Sequence, residues 1–118
     1  MVFNQILKRA VVETRGAVGA IFLDREGEEI AHYTSLSGDE MKLMGAHYGI
    51  VWLEIEAMVS RHLASSAAEA IFAAEKGICL MRPVQKEYMV LLLVNPSEGI
   101  GQARRWLRWA AAEIQKEI

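Results

Sequence analysis

"GAVGAIFLDREGEEI", residues 16–30, decides how this chain is read. An apolar run leaves two glycines, meets an acidic-basic-Gly turn and sets off again. Such a stretch is a phosphate-cradling loop, a metal loop or a β-hairpin. A phosphate loop needs GxxxxGK[ST], or GxGxxG opening a helix. Gly16 and Gly19 lead instead into "AVGAIFL" (17–23), and no Lys-Ser or Lys-Thr follows. "DREGEE" lacks the spaced oxygen ligands of a calcium loop. Residues 17–23 are apolar on both alternating faces, as in a strand covered on both sides of its sheet. Asp24 can bond the turn backbone, and Gly27 supplies positive φ without a Cβ clash. "EEIAHY" returns as a more polar, outer strand. The stretch reads as a structural hairpin.

Upstream, Phe3, Ile6, Leu7, Ala10, Val11 and Thr14 follow the i, i+3, i+4 rhythm of an amphipathic helix that Gly16 ends. Downstream, "SLSGDEMKLMGAHYGIVWLEIEAMVSRHLA" predicts a helix from about Gly38 to about Leu63. Ser37 and Glu40 have capping-box spacing, and Asp39 suits the positive end of the dipole. Two apolar stripes run along it: Met41, Met44, Tyr48, Val51, Ile55 and Met58, and Leu43, Ala46, Ile50, Leu53 and Ala57. One stripe covers a sheet; the second needs another surface. Within it "GAHYG" (45–49) places two glycines one turn apart, for close approach to another helix or to the helix's own sheet.

Residues 65–75, "SSAAEAIFAAE", favour helix by propensity. Yet "EKG" followed by "ICLMRPV" predicts a hairpin with Lys76-Gly77 at its tip. A strand of such small residues at a sheet edge is unprotected unless something pairs with it. A turn around Gln85 and Lys86 and the strand "EYMVLLLV", apolar on both faces and hence central, complete a meander. "NPSE" predicts the start of the last helix, with Asn95 as cap, Pro96 at the first helical position and Glu98 on the dipole. Its buried stripe is Ile100, Ala103, Leu107, Ala110, Ile114 and Ile118. The order αββαβββα makes an α/β (α+β) chain: a five-stranded, mainly antiparallel sheet with helices on both faces.

The 118 residues fit one domain, 1–118, and 53% apolar with 24% charged residues is an ordinary globular balance. A net charge of -2 gives no footprint for nucleic acid. The N-terminus lacks a signal-peptide h-region, and no apolar run nears the ~20 residues that span a bilayer. The one cysteine, Cys79, lies in "ICLM" and reads as a buried hydrophobe in a protein of the reducing cytoplasm. His32, His47 and His62 lack the i, i+3 or i+4 partner of a helical metal site. Serine, cysteine and histidine show no nucleophile context, and the carboxylates fall on polar faces and turns. No enzyme, cofactor or metal site is expected. "RRWLRWAAAEI" interleaves Arg104, Arg105 and Arg108 with Trp106 and Trp109, as membrane-surface or partner-docking helices do. Leu107 and Ile114 define a core face there, so it reads as a core helix with snorkelling arginines.

Taken in order, "TRGAVGAIFLDREGEEI", the long helix and "KEYMVLLLVNPSE" resemble the roadblock/dynein light chain family. Its members share a Gly-x-x-Gly strand, an acidic turn with Gly and a returning strand, here Gly16, Gly19, Asp24, Gly27 and Ile30. They also share a Tyr-led strand running into Asn-Pro-Ser/Thr-Glu, here Tyr88 through Glu98. The match covers about residues 4–98, and the helix after it resembles that of prokaryotic members. The resemblance implies a roadblock fold, a profilin-like three-layer sandwich with sheet order 2-1-5-4-3. It also implies a homodimer in which the third strand pairs with its own copy and the long helices pack together. Met44, Tyr48, Val51 and Ile55, with Ala70, Ile71, Phe72 and Ala73, are the expected interface. Family members are non-enzymatic regulators or scaffolds, several of them acting on Ras-like small GTPases. Lys42, Glu54 and Arg61 on the long helix are the expected contacts to such a partner. A small-ligand sensor of profilin-like fold and a purely structural adaptor are the alternatives.

Overall fold

The computed structural model describes residues 2–34, 38–96 and 99–118, with residues 38–43 described by backbone alone. The elements are α1 (Val2–Glu13), β1 (Ala17–Asp24), β2 (Glu29–Thr34), α2 (Gly38–Leu63), β3 (Ala70–Ala74), β4 (Gly77–Val84), β5 (Tyr88–Val94) and α3 (Ile100–Gln115). They form one five-stranded sheet in the order β2-β1-β5-β4-β3, antiparallel throughout. The central strand is β5, and all its residues after Tyr88 are buried. That is the physical meaning of a run apolar on both faces.

Alternation along the strands divides the core in two. Phe22, Leu80, Val90 and Leu92 face α1 and α3, where they meet Leu7, Val11, Ala103, Leu107 and Ile114. Ile21, Leu23, Met81, Leu91 and Leu93 face α2 and meet Trp52. Each such side chain, fully buried, contributes about 1.5–3 kcal/mol. In α3 the buried stripe is Ala103, Leu107, Ala110, Ala111 and Ile114; Ile100 at its start and Ile118 beyond its end are exposed, which corrects the stripe read from the sequence.

The hairpin at 16–30 forms as read. Asp24 Oδ1 accepts from the backbone N–H of Glu26 at 2.9 Å and of Glu28 at 3.0 Å. Gly27 has φ +84°. In the β4–β5 turn Gln85 takes φ +58°, which a Gly would adopt without strain. Pro83 lies where β4 runs past the first residue of β3, Ala70, which pairs with Met81. Its missing N–H therefore costs no β3–β4 bond.

Two further readings are corrected. Asn95 does not cap α3: its N–H donates to Gly16 O at 2.8 Å, prolonging the sheet, and the cap position is Gly99, without a side-chain cap bond. The helix therefore begins four residues after Pro96. The sheet-facing side of α2 keeps Met44, Tyr48, Val51 and Ile55 of the first stripe traced in the sequence, but not Met58, and it lacks Ile50 of the second. It centres on Gly45, Gly49 and Trp52, with Met44, Tyr48, Val51, Ile55 and Val59 packed beside them, whereas Ile50 and Met58 are exposed. A Cβ on Gly45 would lie 2.8 Å from Ile21 Cδ1, and one on Gly49 would lie 3.1 Å from Gly27 Cα. The two glycines thus let α2 settle against its own sheet and turn. Ser37 and the side chains of Asp39 and Glu40, on which the capping-box and dipole readings rest, lie outside the described residues, as does Glu98.

Candidate protein-interaction surface

A sheet with two edges must protect both or use one. At the β2 edge, Asn4 of α1 donates through Nδ2 to His32 O at 2.9 Å, and His32 Nδ1 meets Glu29 Oε2 at 2.7 Å. A helix side chain therefore already occupies a backbone acceptor of this strand. The β3 edge is different. Its sequence, "AIFAA", holds no charge, no proline and no bulge, and among the described residues its one strand neighbour is β4. Ile71 is 37% and Phe72 40% exposed. For apolar residues in an unguarded strand, that exposure leaves the edge open to pairing.

Behind the edge, Phe72 leans on Tyr48 of α2, ring centroids 6.2 Å apart. A groove between α2 and β3 is lined by Val51, Ile55, Met58 and Phe72, with Glu54 and Arg61 on the same walls. Expected interface residues and expected partner contacts thus converge on one groove. Of the other expected residues, Met44 and Tyr48 flank the α2 core, Ala70 packs into it, and Ala73 lies exposed in β3. The side chain of Lys42 lies outside the described residues.

Sequence reasoning missed two supporting residues. Glu69, just before β3, accepts from Arg104 Nε of α3 at 2.8 Å and from Arg82 Nη1 of β4 at 3.4 Å. It ties the entrance of the edge strand to the layer beneath. Nothing in the local sequence separates it from a solvated carboxylate. Trp52, 4% exposed, anchors α2 over the sheet. Its signal was there, one turn beyond Gly49 and two beyond Gly45, but glycines do not register in an apolar count.

Cys79 is buried, and burial pushes its thiol up to about 12. Its neighbour Tyr48 is raised too, by burial first and then by the thiol beside it. A thiol held in this way is a poor nucleophile, in keeping with the packing role read from "ICLM". The cleft next to it is walled mainly by Val18, Met44, Ile78, Leu93 and Val94. Among the described residues no three His, Cys, Asp or Glu side chains gather as a metal site requires. No helix among them is long and apolar enough to cross a membrane.

No family model matches this sequence, and no curated protein does. Solved structures do match. The Roadblock/LC7 domain from Streptomyces avermitilis superposes with TM-score 0.90 at 9% identity, over 97% of this chain and 95% of that one. Myxococcus xanthus MglB gives TM-score 0.89 at 12% identity, over 98% and 93%. Profilin II of Acanthamoeba castellanii shares the architecture more distantly, with TM-score 0.68 at 10% identity over 98% of each chain. At such identities it is the path of the chain that is common, and this chain has the roadblock/LC7 fold, a form of the profilin-like sandwich.

Proposed function

We propose that this chain is a non-enzymatic, homodimeric regulator or scaffold of a Ras-like small GTPase, working in the cytoplasm as a single roadblock-type domain. The observation that carries the dimer is the unguarded β3 edge lying beside the half-buried Val51 and Ile55 and the exposed Met58 of α2. Pairing β3 with its copy satisfies the open backbone groups. The same two-fold brings the α2 helices together, covering Val51, Ile55, Met58 and Phe72. Strand pairing and helix packing together bury on the order of 1,200–2,000 Å², the range of a stable assembly.

The GTPase rests on the resemblance of the sequence to roadblock proteins and on the roadblock fold. The mechanism is conformational: a surface made by two copies binds one arrangement of the switch segments better than the other and shifts its population. Glu54 and Arg61 border the seam, where one bound molecule reaches both copies. Titrating the protein with Ras-like GTPases in both nucleotide states, with sedimentation velocity on the same samples, tests the reading. Nucleotide-dependent binding to a dimer supports it. A monomer, or indifference to every such GTPase, refutes it.

A further inference from the structure

The charge of this chain is not spread evenly. Residues 2–15 and 100–118, the helices α1 and α3 with their ends, carry seven basic and three acidic residues, although the chain as a whole is acidic. All the rest carries six basic and twelve acidic. One outer layer of the sandwich is therefore cationic and the remainder anionic. On the cationic layer Arg9 of α1 stands over both indoles of α3, 5.7 Å from the Trp106 ring and 5.2 Å from the Trp109 ring. The two rings meet edge to face at 5.3 Å. Beside them Arg105 and Arg108 are exposed, and so, on α1, is Val12 at 63%. The acidic residues of this layer are Glu13, Glu113 and Glu117, and Glu113 is engaged by Lys116 at 2.7 Å.

We propose that the α1–α3 face is a docking surface for an anionic phospholipid membrane. Half-buried indoles with arginines around them suit the headgroup region, where amphipathic rings and guanidinium groups are both accommodated. The apolar stripe of α3 is spent on the sheet, so the contact is peripheral and electrostatic, without insertion of the helix. Symmetry favours an extended surface over a small acidic partner. This step rests on the dimer proposed above. An antiparallel β3–β3 pair has its two-fold perpendicular to the sheet. Both α1–α3 faces then lie on one side of a continuous sheet, and both α2 helices on the other. A membrane engages the two cationic faces at once, with the gain in avidity that this brings. The α2 side stays open to a protein partner.

Co-sedimentation of the whole chain with phosphatidylcholine vesicles, with and without phosphatidylserine, tests the proposal. Binding is expected only with phosphatidylserine and is expected to fall in high salt. Arg105→Glu with Arg108→Glu lowers it about tenfold or more. Lys76→Glu with Lys86→Glu, equal in charge change but on the hairpin turns, leaves it nearly unchanged. Equal loss in both double variants, or binding to polyglutamate but not to vesicles, overturns the proposal. Sedimentation velocity of the same samples reads the dimer separately. A monomer that binds vesicles through Arg105 and Arg108 refutes the dimer alone, whereas a dimer indifferent to phosphatidylserine refutes the membrane face alone.

Discussion

Gly27 is the residue on which the opening hairpin turns, and it serves twice. Its φ of +84° excludes β-branched residues, and a Cβ there would come within 3.4 Å of Ala46 Cα on α2. Gly27→Val is therefore expected to destabilise by about 1–3 kcal/mol, read by urea denaturation. Asp24→Ala removes two turn hydrogen bonds that sit partly in water and is expected to cost only about 1 kcal/mol. Cys79 makes a prediction in pH. The folded chain binds the thiol proton more tightly than the unfolded chain does, the folded value being about 12 against 9.0. Stability from this group is complete below pH 9 and is lost as pH rises from there towards 12, by up to about 4 kcal/mol. Urea midpoints followed from neutral pH upward check it: Cys79→Ala is expected to flatten the alkaline slope whatever it does to stability at pH 7.

Among the elements, β3 is the one on which the proposed dimer depends. Five residues with four of them exposed make a weak strand, braced at its entrance by Glu69 and paired along one side by β4. Ile71→Pro removes a backbone donor from the open side or from the β4 ladder and fixes φ. Its expected outcome is a dimer-to-monomer shift in sedimentation velocity at micromolar concentration. Retained helical circular dichroism would show that the fold survives, since the core lies among β1, β4, β5 and the helices. A variant that stays dimeric refutes β3 as the pairing edge. Helix α2 has a different economy. It sits low because Gly45 and Gly49 remove side chains where Ile21, Leu23 and Gly27 stand, and Trp52 then fills the space beyond.

For the whole molecule the prediction is one of stoichiometry. A GTPase lying across the two-fold, in contact with both α2 helices, excludes a second copy and gives one GTPase per dimer. Calorimetric titration is expected to saturate at one GTPase per two chains, and two per dimer would place the contact off the axis. Arg61→Glu is expected to change the association rate and its salt dependence while leaving a folded dimer. Reversal at Arg105 and Arg108, on the other side of the sheet, is expected to spare GTPase binding in solution. The two sides of the sandwich are thus expected to separate by mutation.

How much was legible beforehand follows from the range of the forces involved. The sequence by itself determined the order of the eight elements, the hairpin at Gly16–Ile30 and the central place of "YMVLLLV". Those features depend on local backbone preference and on burial of whole apolar runs, which periodicity records. The sheet order came from resemblance to a family and stands confirmed in the pairing of the strands. Tertiary structure alone decided which face of α2 is buried, because a glycine gains meaning only from what approaches it. It also decided where α3 begins, because Asn95 had a sheet partner in Gly16 that no local rule contains. The carboxylate of Glu69, joined to two arginines 13 and 35 residues away, became distinct from its solvated fellows only when the chain folded back on itself.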